Sequence, residues 1–227
     1  MYKLISIVML MLMTSLSYAN DIYVTQSGAS LDLDITQDGE NNTVGNSTTA
    51  SASTGATTIL NIDQIGNSNV IKYQINGATY TGVINLVGNS NDVDLNCDST
   101  GGNSSCGSAN AVINFTGNSN DIDLDIGQTS SATSADVDIV GQSGSDSNVV
   151  AATVDGNSAI LTITVNGDTN NYLIDIDGNG DVNGHTLIHT HTGGIADVDI
   201  VQSGTNDNMI TLTTSGDNAD IDISQTD

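Results

Sequence analysis

The sequence predicts an all-β fold, a β-solenoid of short stacked strand-turn-strand repeats with loop insertions. Three observations carry this expectation. Glycines recur every 11 or 12 residues, at Gly28 and Gly39, at Gly66, Gly77 and Gly88, at Gly144, Gly156, Gly167 and Gly178, and at Gly204 and Gly216. Between them lie strand-sized segments in which apolar and polar residues alternate. The apolar residues are mostly Val, Ile and Leu, while Pro and Trp are absent and Phe115 is the single Phe. A fixed short period is the mark of repeat architectures, and it decides the fold before any local signal does.

Each arc between glycines has one apolar side. After Gly88, Val93, Leu95 and Cys97 oppose Asp92, Asp94 and Asn96. After Gly156, Leu161, Ile163 and Val165 oppose Thr162 and Thr164, and after Gly216, Ile221 and Ile223 oppose Asp220 and Asp222. Successive strand side chains point to opposite faces, so the apolar set shares one face. A lone arc cannot bury that face, whereas stacked arcs can. About 17 arcs at two per turn give roughly 8 rungs, on the order of 40 Å at a spacing of about 4.8 Å. The longer gaps hold Gly/Ser/Thr/Asn-rich stretches, Gly45 to Gly55, Asp98 to Ser108, Gln128 to Ser134 and Gly178 to Gly184. These read as surface loops.

Residues 1–19 read as a secretory signal peptide, with Lys3 in the n-region, an apolar run from Leu4 to Met13, and Ser17-Tyr18-Ala19 before the expected cleavage at Asn20. Residues 20–227 form the repeat domain. The full chain carries 2 basic and 27 acidic residues, hence −25; without Lys3 it is 1 − 27 = −26, with Lys72 the remaining Lys or Arg. Nucleic-acid binding needs cations against phosphate, so that class of partner is excluded. No segment beyond the leader is a candidate for membrane insertion. The expected location is secreted, extracellular or on a bacterial cell surface.

The arc boundary is more specific than a glycine. It reads Gln26-Ser-Gly28, Gln37-Asp-Gly39, Gln64-Ile-Gly66, Gln142-Ser-Gly144 and Gln202-Ser-Gly204, and an Asn follows three residues later at Asn42, Asn69, Asn91 and Asn120. At 142–148 and 202–208 the Asn comes one residue late. This phrase resembles the curlin repeat, the unit of bacterial curli amyloid fibres. The resemblance implies ladders of Gln and Asn side chains along a solenoid, here Gln26, Gln37, Asn42, Gln64, Asn69, Gln142 and Gln202. It also implies subunits that stack end to end, so self-association or other fibre subunits are the expected partners. Stacked amides can satisfy one another's donors and acceptors along such an axis.

Other patterns could carry chemistry. Asp-x-Asp recurs at Asp32/Asp34, Asp92/Asp94, Asp121/Asp123/Asp125, Asp136/Asp138, Asp175/Asp177, Asp197/Asp199 and Asp220/Asp222. In-register stacking would set carboxylates about 5 Å apart, which disfavours the charged state or invites divalent cations. The calcium candidate is Asp175, Asp177, Asn179, Asp181 and Asn183, alternate oxygen donors among glycines; an EF-hand is rejected because Ile188 stands where its Glu belongs. No cofactor is certain from the sequence, and calcium is the candidate. Cys97 and Cys106 flank an insertion, and in an exported chain an even count points to a disulfide. His185, His189 and His191 could hold zinc or copper, but a structural site needs four ligands, so they read as surface histidines. Thr162/Thr164, Thr190/Thr192 and Thr211/Thr213 resemble fragments of an ice-binding threonine face, as isolated copies.

One Glu (Glu40), no Arg and no nucleophile or phosphate-loop pattern argue against an enzyme. The expected function is an extracellular, curli-like fibre subunit supporting adhesion or biofilm. The alternative is a monomeric, calcium-stabilised surface adhesin or binding module on the same fold.

Overall fold

The computed structural model describes residues 20–45, 50–66, 68–97, 106–127, 134–156, 158–177, 184–204 and 208–226. In chain order the strands are β1 (Asn20–Ile22), β2 (Thr25–Ser27), β3 (Ser30–Asp38), β4 (Asn42–Val44), β5 (Ser51–Ile65), β6 (Ser68–Val87), β7 (Ser90–Cys97), β8 (Ser108–Thr116) and β9 (Asp121–Ile126). They continue with β10 (Ser134–Gly141), β11 (Asn148–Asp155), β12 (Ala159–Asn166), β13 (Thr169–Asp177), β14 (Thr186–Thr192), β15 (Ile195–Ser203), β16 (Met209–Ser215) and β17 (Asn218–Thr226). All the pairings among them are parallel, as a chain winding in one sense requires. The protein is a β-solenoid.

Two walls face each other across the core. The first stacks β1 with β2, β4 with the start of β5, the first half of β6, and then β7, β9, β11, β13, β15 and β17. The second stacks β3, the rest of β5, the second half of β6, and then β8, β10, β12, β14 and β16. Counted along these pairings, the first wall holds nine arcs and the second eight.

The period-2 alternation survives in the burial of most strands. In β7 Val93, Leu95 and Cys97 are sealed from solvent while Asp92 lies outside. Register puts like over like. Ile35, Ile62, Ile84, Ile113, Ile139 and Ile163 form one column of the second wall. Full burial of each Ile is worth about 1.5–3 kcal/mol. Volume is balanced between rungs. Phe115 stands beside Gly141, where an added Cβ would lie 2.6 Å from the Phe115 ring. The corner glycines answer a different demand. At Gly117 (φ +139°) a Cβ would sit 1.3 Å from the Gly88 carbonyl oxygen, so the backbones of adjacent corners approach too closely for any other residue.

One expected loop is shorter than the sequence suggests. Ser51 to Gly55 belong to β5 and pair with Tyr73 to Gly77, with Ser51 and Ser53 buried in the core. Their small, polar composition reads as a loop, but tertiary pairing overrides it. Ser108 and Ser134 likewise open strands β8 and β10.

Candidate functional site: the side-chain ladders and the open end rungs

The strongest polar feature runs inside the corner that leads from the second wall to the first. Asn42, Asn69, Asn91, Asn120, Asn148 and Asn170 occupy one position on six successive rungs, all buried. Each amide nitrogen donates to the next amide oxygen, at 3.3 Å for Asn42 to Asn69, 2.8 Å for Asn69 to Asn91, 2.5 Å for Asn91 to Asn120, 2.6 Å for Asn120 to Asn148 and 2.5 Å for Asn148 to Asn170. The same nitrogens also donate to corner carbonyls, such as Gly117 O from Asn120 at 2.7 Å. The ladder thus pairs groups that would be costly to bury alone. Beyond Asn170 the position becomes Ala196 and Ala219, and the last amide nitrogen meets His191 Nδ1 at 3.2 Å.

Of the residues expected in ladders, Asn42 and Asn69 open this one. Asn148 and Asn170 are added by the structure. Asn170 follows Gly167 by three residues, but Val165 replaces the Gln of the repeat phrase, which hid it. Asn148 comes one residue late after Gly144, because Ser145 takes the corner place that Gly117 holds one rung earlier, its carbonyl accepting from Asn148 Nδ2.

The glutamines form no continuous ladder. Gln37 and Gln64 stack on the second wall, with Gln64 Nε2 donating to Gln37 Oε1 at 2.6 Å, and the column then changes to Leu86, Phe115 and Gly141. Gln26 and Gln202 lie on the first wall at its two ends, separated by Ser53, Ile75, Cys97, Ile126, Val154 and Ile176. Gln202 is paired with Gln225, whose Nε2 donates to Gln202 Oε1 at 3.4 Å. Gln142 is exposed in a turn, because Gly141 takes the inward place. Among the described residues inward-facing glutamine therefore marks the ends of the solenoid, where an apolar column would be left open.

Outside the walls, two clusters of carboxylates stack. Asp92 lies on Asp121 and Asp94 on Asp123; nearer the C-terminus, Asp197 lies on Asp220 and Asp199 on Asp222. Lys72 extends the first cluster, with Nζ 3.1 Å from Asp94 Oδ2. Burial, with neighbouring carboxylates, pushes the carboxyls of Asp92 and Asp123 up from their ordinary value, partly offset by Lys72. The other pairs are interrupted: Asp34 accepts from Asn61 Nδ2 at 2.8 Å, and Asp136 stands between Asn110 and Ile160.

For the calcium candidate, Asp175 and Asp177 lie on β13 and Ser203 Oγ donates to Asp177 at 2.9 Å. Asn179, Asp181 and Asn183 lie outside the described residues. Among the described residues no group of three or more His, Cys, Asp or Glu is gathered as a metal site. The sulfurs of Cys97 and Cys106 are joined at 2.05 Å, inside the core.

The histidines are not on the surface. His185, His189 and His191 are all buried, because the alternation of β14 turns His189 and His191 inward, where β12 places Ile163 and Val165. Tyr172 packs edge-on against His189 at 4.3 Å between ring centroids, and its hydroxyl lies 3.1 Å from His191 Nδ1. An amide nitrogen can only donate, so Asn170 makes His191 Nδ1 an acceptor and leaves the ring hydrogen on Nε2. Burial, reinforced by His191, lowers the His189 pKa to about 4. The threonines are not isolated copies either: Thr164, Thr190 and Thr213 form one outward column, while Thr162 and Thr211 are separated by Ile188.

Among the described residues neither end is capped. At the C-terminal end Ile221 and Ile223, inward residues of β17, are 37% and 48% exposed, and Ile210 and Leu212 of β16 are only partly covered. At the other end Ile22, Leu31 and Leu33 pack on the core but remain partly open. Among the described residues no helix is long and apolar enough to cross a membrane. No family model matches the chain, and no curated protein or solved structure matches it.

Proposed function

We propose that this protein is an extracellular structural subunit whose copies join end to end through their open end rungs, building fibres that serve adhesion or biofilm. One observation carries the reading: both ends present core columns and an unpaired strand edge that no other described residue closes. Natural sheets guard such edges with Pro, Lys, bulges or covering elements. Here the end strands β1, β2, β3, β16 and β17 contain neither Pro nor Lys nor Arg. The inward residues left open are apolar at both ends and Gln-tipped, so one end is a fit for the other. The buried amide ladder and the aliphatic columns hold each rung in register, which makes the subunit a rigid block.

The test is to incubate the exported chain with calcium and with chelator, and to examine the product by microscopy and fibre diffraction. Fibres with a cross-β pattern, strands perpendicular to the axis, are expected. Monomer persisting in both conditions would overturn the proposal. It would favour the second reading, a monomeric surface adhesin, for which the carboxylates of Asp32, Asp34, Asp220 and Asp222 at the ends speak. Calcium belongs to either reading as a ligand of the Asp175 to Asn183 stretch; its signature is a higher thermal midpoint with calcium than with chelator.

A further inference from the structure

We infer that successive copies are related by a half-turn about the solenoid axis together with a translation along it, so that β17 of one copy pairs with β3 of the next, and β16 pairs with β1 and β2. This rests on the end-to-end association proposed above and adds its geometry. The described chain enters on the first wall with β1 and leaves on the same wall with β17, giving nine arcs there and eight on the second wall. Stacking by pure translation sets β1 and β2 on β17. The β3 of that copy then lies a full rung beyond the place next to β16. The second wall is left one strand short, with β16 and β3 roughly 9–10 Å apart. No backbone hydrogen bond spans that distance. A half-turn removes the gap, because the path continues from wall to wall as it does within one chain. The walls can exchange because the sequence repeat of 11 residues is one arc, half a turn.

The side chains agree with this register. β17 and β3 are both nine residues long. Aligned by their inward residues, Ile221 meets Leu33, Ile223 meets Ile35 and Gln225 meets Gln37. The column then reads Gln202 and Gln225 of one copy followed by Gln37 and Gln64 of the next. Both halves already share one donor sense, Nε2 to the Oε1 of the preceding rung. Pure translation would set Gln225 on Gln26, whose next rung is Ser53, and end the run. On the other wall Ile210 meets Ile22, Leu212 meets Val24, and the corner Ser215-Gly216 meets Ser27-Gly28.

Cysteine pairs distinguish the two joints. Ser224, Thr36, Thr213 and Thr25 are exposed, outward residues of the end strands, so their substitution leaves the core intact. Adjacent strands lie about 4.8 Å apart, within disulfide reach. Single variants Ser224→Cys, Thr36→Cys, Thr213→Cys and Thr25→Cys of the full chain, exported by a bacterial host, are mixed in pairs, assembled and oxidised. Non-reducing gels are expected to show cross-linked dimers for Ser224→Cys with Thr36→Cys and for Thr213→Cys with Thr25→Cys. Cross-linking of Ser224→Cys with Thr25→Cys would establish pure translation and overturn the half-turn. Fibres without either cross-link would overturn it too, while leaving the end-to-end association standing. Absence of both fibres and cross-links would sink the association and the half-turn together.

Discussion

At the scale of single residues, the asparagine ladder shows how a chain with few aromatics keeps a unique register. Asn120 donates to Asn148 and to Gly117 O and accepts from Asn91. Removing it strands a buried donor on Asn91 and a buried acceptor on Asn148. Asn120→Ala is therefore expected to cost on the order of 2–3 kcal/mol in chemical denaturation, against near-neutrality for an outward change such as Thr164→Ala. The buried histidines give a pH signature. His189 has its pKa lowered from 6.5 to about 4, so the folded state binds fewer protons than the unfolded one between those values. Its contribution is whole above pH 6.5 and is lost as pH falls to about 4. The side chains against it are Ile163, Leu212, Tyr172 and His191, none of them an acid. Asp92 and Asp123 work in the opposite sense: their raised pKa values favour the fold at acid pH, and that help fades as pH rises. Thermal midpoints measured from pH 7 to pH 4 should thus fall less in His189→Leu than in the unaltered chain. Equal slopes would contradict the assignment.

At the scale of elements, the glycine period and the alternation made nearly every arc legible, because both follow from local backbone geometry. What escaped the sequence was wall membership. Gln26, Gln37, Gln142 and Gln202 share a phrase, yet they fall on two walls and one turn, since arcs alternate between walls and Gly141 takes the inward place at the end of β10. The histidines were misread for a related reason: buried polar side chains are uncommon, and only the rung above, Ile163 and Val165, reveals that β14 turns them inward. Ser51 and Ser53 have the composition of a loop, and their pairing with β6 makes them strand. The Cys97–Cys106 bridge closes the insertion between β7 and β8 and ties its two ends to the core. With a sequence separation of 9, its reduction should cost about 2–3 kcal/mol, read as a lower denaturation midpoint under reducing conditions. An unchanged midpoint would place that corner's stability in the flanking strands instead.

For the whole molecule, charge sets the conditions of assembly and the open ends set its form. In the half-turn joint Asp220 and Asp222 meet Asp32 and Asp34 of the next copy, extending the Asp197–Asp220 and Asp199–Asp222 stacks already present. A formal charge of −25 adds general repulsion. Assembly followed by light scattering should therefore speed up from low to physiological salt as the Debye length shrinks to about 8 Å. The Asp220→Asn/Asp222→Asn variant should assemble faster and respond less to salt; an identical salt response would remove these carboxylates from the joint. The central claim is that each copy adds its full stack of rungs to a single continuous solenoid, and mass per length tests it most directly. Nine arcs on one wall and eight on the other correspond to an advance of roughly 41 Å per copy at about 4.8 Å per rung. For a chain of 23.2 kDa, scanning transmission electron microscopy of single filaments should read close to one chain per roughly 41 Å. A filament with one chain per about 5 Å would show that the chain unwinds into a different cross-β form, and persistent monomers would show that the ends do not join.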